Sequence, residues 1–78
     1  MLRLKLHDET QTEVIYHYFP ENEKDGGLLA VNKETGDIRT ISVPENDEFN
    51  IYLHHAVSRL DEYFANKNYL EKDVVAWY

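Results

Sequence analysis

Residues 12–19 constrain the fold of this 78-residue chain more than any other segment. They are rich in β-branched and aromatic side chains, which is typical of a β-strand. Alternate side chains of a strand point to opposite faces, and here both sets are apolar or aromatic. One face presents Val14, Tyr16 and Tyr18, and the other presents Ile15, His17 and Phe19. Such a strand belongs inside a sheet that is covered on both sides.

Three other segments also read as strands. Residues 1–7 alternate between apolar and polar side chains, which predicts a half-buried strand. Residues 28–32 and 38–43 predict two short strands joined by a tight turn. Gly36 stands in that turn where a left-handed backbone is required. Together these segments predict a four-stranded antiparallel meander.

The second half of the chain predicts one long helix. Asn46 is suited to the N-cap, and Asp47 and Glu48 complement the positive end of the helix dipole. Lys67 and Asn68 suit its C-terminal end. At about 100° per residue, the apolar side chains form one stripe. The stripe consists of Phe49, Tyr52, Leu53, Ala56, Val57, Leu60, Tyr63 and Phe64.

The predicted fold class is therefore α+β, with a ββββα order and the helix packed on one face of the sheet. The length allows one small domain, residues 1–78. Residues 74–78 read Val-Val-Ala-Trp-Tyr and are too apolar to remain unpacked. They could form a fifth strand or a plug beside the helix, and the sequence leaves both alternatives open.

One helix covers only one face of the sheet, so the second face needs another cover. The C-terminal segment, a second copy of the chain or a foreign partner could each supply it. Tyrosine and tryptophan are favoured at interfaces, which makes Tyr16, Tyr18, Trp77 and Tyr78 candidate contact residues. Ile51, on the helix side opposite the apolar stripe, is a further candidate. The alternative is that Tyr16 and Tyr18 simply suit β-structure.

Composition excludes several classes of function. The chain has 15 Asp and Glu against 8 Lys and Arg, a net charge of −7 that repels phosphate backbones and argues against nucleic-acid binding. It has no cysteine, so disulfides and thiolate sites are excluded. No apolar run approaches the ~20 residues of a membrane span. The N-terminus alternates where a signal peptide is continuously apolar, so we expect a cytoplasmic protein that does not bind membranes.

The sequence offers no persuasive metal site. His54 and His55 are adjacent, so on a helix they diverge by about 100° and cannot share one ion. His17 on a strand is more often a core residue than a ligand. The alternating acids of residues 21–25 resemble the first half of a calcium loop, but its twelfth position falls on Asn32 instead of a bidentate Glu.

Catalytic groups are equally weak, because Ser58 has no orienting acid beside it and the adjacent Asp61 and Glu62 point apart on a helix. We therefore expect no cofactor and no enzymatic activity.

The hairpin Val31-Asn32-Lys33-Glu34-Thr35-Gly36-Asp37-Ile38 resembles the V-[DN]-x-x-T-G-x-[IV] hairpin of PepSY-type domains. The resemblance covers about eight residues of turn chemistry and implies peptidase inhibition or other extracytoplasmic regulation. The chain departs from that family because its long helix follows the strands and because we expect no signal peptide. As a whole it resembles small α+β proteins of low-GC Gram-positive bacteria and their mobile elements, which implies no activity.

The first hypothesis is a small acidic interaction module that dimerises or binds a protein partner. It would use the second sheet face and the C-terminal aromatic residues, with an acidic rim selecting the partner. One alternative is an acidic decoy that occupies a basic, nucleic-acid-binding surface. Six of the 15 acids, in residues 21–25 and 45–48, would contribute to such a decoy. The other alternative is a small ligand- or metal-binding domain.

Overall fold

A computed structural model describes residues 1–20, 26–43 and 51–76. The elements follow the order β1 (Leu2–Glu9), β2 (Glu13–Pro20), β3 (Gly27–Asn32), β4 (Ile38–Ser42), α1 (Ile51–Asn66) and β5 (Lys72–Val75). The strands form one antiparallel sheet in the order β4-β3-β2-β1-β5. The predicted α+β meander with one packed helix is confirmed. The apolar C-terminal segment contributes a fifth strand, which begins at Lys72 and pairs with β1.

The alternation of β1 holds up to Leu6 and then breaks. Leu2, Leu4 and Leu6 lie opposite Pro20, Tyr18 and Tyr16 of β2, but the register shifts between Leu6 and Asp8. His7 is the extra residue of this irregularity, and the strand continues to Glu9, beyond the predicted end. The hairpin closes at Thr10, whose hydroxyl accepts a 2.9 Å hydrogen bond from the Glu13 N–H.

The β3–β4 turn has the backbone that the sequence predicts. Gly36 has a φ of 81°, in the left-handed region that glycine enters without strain. Its N–H donates to the carbonyl of Asn32 at 2.9 Å. The Asn32 side chain accepts hydrogen bonds from the N–H groups of Glu34 and Thr35, which fixes the start of the turn. A Cβ at residue 36 would also lie 2.8 Å from the Phe64 ring.

The core lies between α1 and one face of the sheet. The helix contributes Ala56, Leu60 and Tyr63, all buried. The sheet contributes fully or nearly fully buried side chains: Leu2, Leu4, Val14, Tyr16, Tyr18, Leu29, Val31 and Val75. Tyr52, Leu53 and Val57 are partly buried against this cluster, as the predicted helical stripe requires. The predicted N-cap region, with Asn46, Asp47, Glu48 and Phe49, lies outside the described residues.

The helix ends at a left-handed residue, Lys67, with a φ of 54°. The Lys67 N–H donates to the carbonyl of Phe64 and the Asn68 N–H to that of Tyr63, at 3.2 and 3.1 Å. This pair of bonds satisfies helix carbonyls that have no partner within the helix. The Lys67 ammonium lies 3.8 Å from the centre of the Phe64 ring, so a cation–π contact supports the unusual backbone.

Asp73 joins β5 to the helix. Its Oδ2 accepts hydrogen bonds from the Tyr63 hydroxyl at 2.5 Å and from Arg59 Nη1 at 3.1 Å. Burial, followed by the hydrogen bond to Asp73, raises the pKa of Tyr63 far above its ordinary value. The Tyr16 hydroxyl donates to the carbonyl of Leu70 at 2.6 Å, just before β5. These bonds hold β5 against the edge of β1.

We expect Gly36→Ala to destabilise the fold by about 1–2 kcal/mol, because alanine is strained at a positive φ and its methyl group meets the Phe64 ring. The midpoint of urea denaturation, followed by far-UV circular dichroism, measures this loss. An unchanged midpoint would mean that the turn adopts another backbone without cost.

We expect Tyr63→Phe to lower the free energy of unfolding by about 1–3 kcal/mol, since it removes a hydrogen bond from the partly buried Asp73 carboxylate. Tyr69→Phe is the matched control. Its buried hydroxyl has no hydrogen-bond partner among the described residues, so its removal should cost less than about 0.5 kcal/mol. Equal losses in the two variants would show that the missing volume of the hydroxyl group, not the bond to Asp73, is responsible.

Candidate functional site

The two faces of the sheet are covered differently. Val14, Tyr16 and Tyr18 lie beneath α1 and are fully buried. The alternate residues of β2 are partly exposed on the opposite face, on which no described helix or strand packs. We call this surface the open face. Strand alternation and pairing place on it Arg3, Lys5, His7, Asp8, Glu13, Ile15, His17, Phe19, Leu28, Ala30, Arg39, Lys72 and Val74.

The candidate contact residues occupy different positions. Tyr16 and Tyr18 are fully buried in the core. A buried side chain offers no surface to a partner, so on β2 that surface belongs to the open-face residues instead. Ile51 is 45% exposed at the start of α1. Trp77 and Tyr78 lie outside the described residues, so their contact role stays a prediction.

A row of rings crosses the open face from β1 to β2. The His7 and His17 rings are 4.7 Å apart between centroids, and the His17 and Phe19 rings are 5.1 Å apart. The guanidinium carbon of Arg3 lies 5.3 Å from the Phe19 centroid. Rings in this arrangement offer flat apolar surface, and the Arg3 guanidinium contacts one end of the row.

Next to this row, a hollow of about 430 Å³ spans β2, β1 and β5. It is lined by Arg3, Leu4, Lys5, Phe19, Lys72, Asp73 and Val74. Asp73 is the one acidic residue among these lining residues. Its Oδ2 accepts hydrogen bonds from Arg59 and Tyr63 of α1. Three of the lining residues are cationic. The hollow is therefore a local positive region on a chain of net charge −7.

Lys5 and Lys72 are directly opposite each other in the antiparallel pairing of β1 with β5. Like charges in this position destabilise a sheet. Among the described residues, neither lysine forms an ion pair with a carboxylate. By contrast, Arg39 pairs with Glu13 at 3.2 Å, at the other side of the open face. An anion between the two lysines would remove the repulsion that the free protein carries.

Burial and nearby positive groups both affect the titration of His17. Burial lowers the pKa of His17, and the neighbouring His7 and Lys5 lower it further. Protonation of His17 is therefore unfavourable in the folded protein, and a bound anion would make it more favourable.

Sequence reasoning missed this site because it summed charge over the whole chain. The alternation of residues 1–7 already places Arg3, Lys5 and His7 on one side of a strand. A sum of charge for each face would have revealed the cations of β1. Lys72 gave no such signal, because the fifth strand was expected to begin at Val74.

The described histidines do not assemble into a metal centre. Within residues 1–20, 26–43 and 51–76, no group of three or more His, Asp or Glu side chains could hold a metal ion. His54 is exposed and His55 partly buried on α1. The acids of residues 21–25 and 45–48 lie outside the described residues. No helix in the described part of the chain is long and apolar enough to cross a membrane.

No protein-family model, curated protein or solved structure matches the chain. The resemblances to PepSY-type hairpins and to small proteins of low-GC Gram-positive bacteria stay predictions.

The lowered pKa of His17 predicts how folding stability depends on pH. The unfolded chain binds a proton at His17 near the ordinary pKa of about 6.5, whereas the folded protein binds it only at lower pH. Stability is therefore fully present above that pH and falls as the solution becomes more acidic. We expect His17→Gln to remove this part of the decline in urea denaturation measured between about pH 7.5 and 5. His54→Gln, on the exposed side of α1, is the control and should retain the wild-type decline. Parallel curves for the wild type and His17→Gln would contradict the assignment.

Proposed function

We propose that the chain is a non-enzymatic interaction module whose open face binds an acidic segment of a partner protein. The observation that carries the proposal is the opposed pair Lys5 and Lys72 beside the hollow. Local conflicts with the rules of folding are most often retained where they serve a function. A carboxylate from a partner would turn this conflict into a favourable contact.

Charge disfavours a second copy of the chain as the occupant of this face. Two-fold symmetry makes the same patch of both subunits meet. A face-to-face dimer would bring two hollows together and add the partner copy's cations to Arg3, Lys5 and Lys72. Repulsion across such an interface costs affinity, whereas an acidic segment complements the hollow.

The shape of the site favours a short segment over an extended polyanion. The cations lie around one hollow, and Asp8 and Glu13 occupy the open-face side toward the β1–β2 turn. A nucleic acid that runs across the face would pass these carboxylates, and the net charge of −7 opposes its approach. A peptide of a few residues can fill the hollow without reaching the carboxylates of Asp8 and Glu13.

The expected affinity is modest. Phe19 and Val74 supply apolar surface worth about 25 cal/mol per Å² buried. Exposed ion pairs add only about 0.2–1 kcal/mol each. We therefore expect a transient complex whose association rate falls with ionic strength. The acidic rim expected from the sequence stays a prediction, because six of the acids lie outside the described residues.

We expect Lys72→Gln to weaken binding of an acidic peptide about three- to fivefold, because it removes one exposed ion pair with the peptide. It should not lower folding stability, because it also removes one member of the like-charged pair. The probe is a capped seven-residue peptide with glutamate at odd positions and valine at even positions. Its dissociation constant is measured by calorimetry, and folding stability by urea denaturation. Gln11→Glu, exposed at the β1–β2 turn, lowers net charge by the same one unit and should leave binding within twofold.

Three outcomes would contradict the proposal. Unchanged peptide binding by Lys72→Gln would remove the hollow from the interface. Tighter binding of a single-stranded oligonucleotide of similar length would show that the partner class is wrong. Light scattering on the same samples tests the second copy: a dimer that Lys72→Gln dissociates would identify another molecule of this chain as the occupant.

A further inference from the structure

β5 forms one edge of the sheet. It pairs with β1 on one side, and no described strand pairs with its other side. An edge strand has a row of backbone N–H and C=O groups to which another strand can bind.

The backbone direction along β5 can be assigned residue by residue. The Leu6 N–H donates to the Glu71 carbonyl at 2.7 Å, so the backbone groups of Glu71 point toward β1. The direction reverses at each residue of a strand, so the groups of Lys72 and Val74 point outward. The Val74 N–H already donates to Asp73 Oδ1 at 2.8 Å, so the Lys72 N–H and the carbonyls of Lys72 and Val74 are the groups that another strand would meet. The side chains of these two residues line the hollow. The outward backbone and the hollow thus belong to the same two residues.

We infer that the partner's acidic segment joins the sheet as a sixth strand, antiparallel to β5. This inference rests on the proposed function and adds the conformation of the bound segment. In such a pair, the residue opposite Lys72 exchanges both of its backbone hydrogen bonds with Lys72. Its side chain lies on the same face as Lys72, at the hollow. An acidic residue there makes a favourable cross-strand pair and reaches toward Lys5.

Strand addition divides the recognition between backbone and side chains. The main-chain bonds to Lys72 and Val74 would supply sequence-independent affinity, and the cationic hollow would select an acid at alternate positions. Lysine at a sheet edge discourages pairing with neutral or basic strands. Lys72 would therefore exclude such strands while admitting an acidic one.

The opposite edge of the sheet is less suited to this role. The pairing of β4 with β3 shifts register between Leu28 and Leu29, which leaves one extra residue on β4. Irregularities of this kind protect edges because they disrupt the ladder that another strand would extend. The hollow also lies on the β5 side. Both observations place the partner strand at β5.

The test uses the alternating glutamate–valine peptide in three forms: unmodified, N-methylated at its central valine, and N-methylated at a glutamate next to it. In the antiparallel arrangement the glutamate N–H groups donate to the carbonyls of Lys72 and Val74, and the valine N–H groups point to solvent. We expect methylation of the glutamate to weaken binding at least tenfold, and methylation of the valine to change it by less than twofold.

Amide hydrogen exchange on the full chain gives a second readout. Binding of the unmodified peptide should slow exchange of the Lys72 amide. The Asp73 amide points toward β1 and the Val74 amide already donates to Asp73 Oδ1, so both should change little. If methylation of the valine weakens binding more than methylation of the glutamate does, the antiparallel register is wrong.

The remaining outcomes separate the inference from the proposed function. Equal binding of all three peptides, with no added protection at β5 and with binding still weakened by Lys72→Gln, would overturn strand addition and leave the acidic-segment proposal standing. No binding of the unmodified peptide would overturn both.

Discussion

The open face depends on the position of Asp73 between the sheet and the helix. Its Oδ2 binds Arg59 and Tyr63, and Tyr63 packs against Tyr16 with 5.5 Å between ring centroids. A carboxylate that receives two hydrogen bonds from the helix must lie on the helix side of β5. Because side chains alternate, Lys72 and Val74 then lie on the other side. The partly buried contact of Asp73 with the helix therefore determines which β5 side chains lie on the open face.

The contact of Asp73 with the helix also explains why β5 stays paired although Lys72 lies opposite Lys5. The cost of an exposed like-charged cross-strand pair is at most about 1 kcal/mol. The hydrogen bond from Tyr63 to a carboxylate contributes about 1.5–3 kcal/mol by itself, and Val75 adds apolar burial. The contacts of β5 with the core thus outweigh the repulsion on its other face. The sheet can keep two opposed lysines without losing the strand.

Much of this fold can be predicted from local patterns. The period of residues 1–7, the turn at Gly36 and the helical stripe each depend on neighbouring residues, and the structure has all three. The start of β5 could not be predicted in this way. Lys72 and Asp73 look like loop residues until Arg59, 14 positions from Asp73, supplies a partner for the carboxylate.

Local sequence pattern also could not predict which face of β2 packs against the helix. Both sides are apolar or aromatic, so periodicity alone does not decide which one meets the helix. The structure puts Tyr16 beneath α1, where its hydroxyl finds the Leu70 carbonyl at the approach to β5. His17 and Phe19 consequently face outward. The Tyr16 hydroxyl thus finds its hydrogen-bond acceptor 54 positions away in the sequence, at Leu70.

Net charge is a poor guide to which ligand the proposed surface would bind. At physiological ionic strength, charges separated by more than about 8 Å are largely screened. A group in the hollow therefore responds chiefly to the nearby Lys5 and Lys72, and little to the chain total of −7. Asp8 lies three residues along β1 from Lys5, roughly 10 Å at the rise of a strand. A short acidic segment can stay beyond its reach, while a long polyanion meets it. The same acidic surroundings that oppose nucleic acids in general thus leave this one position open to a carboxylate.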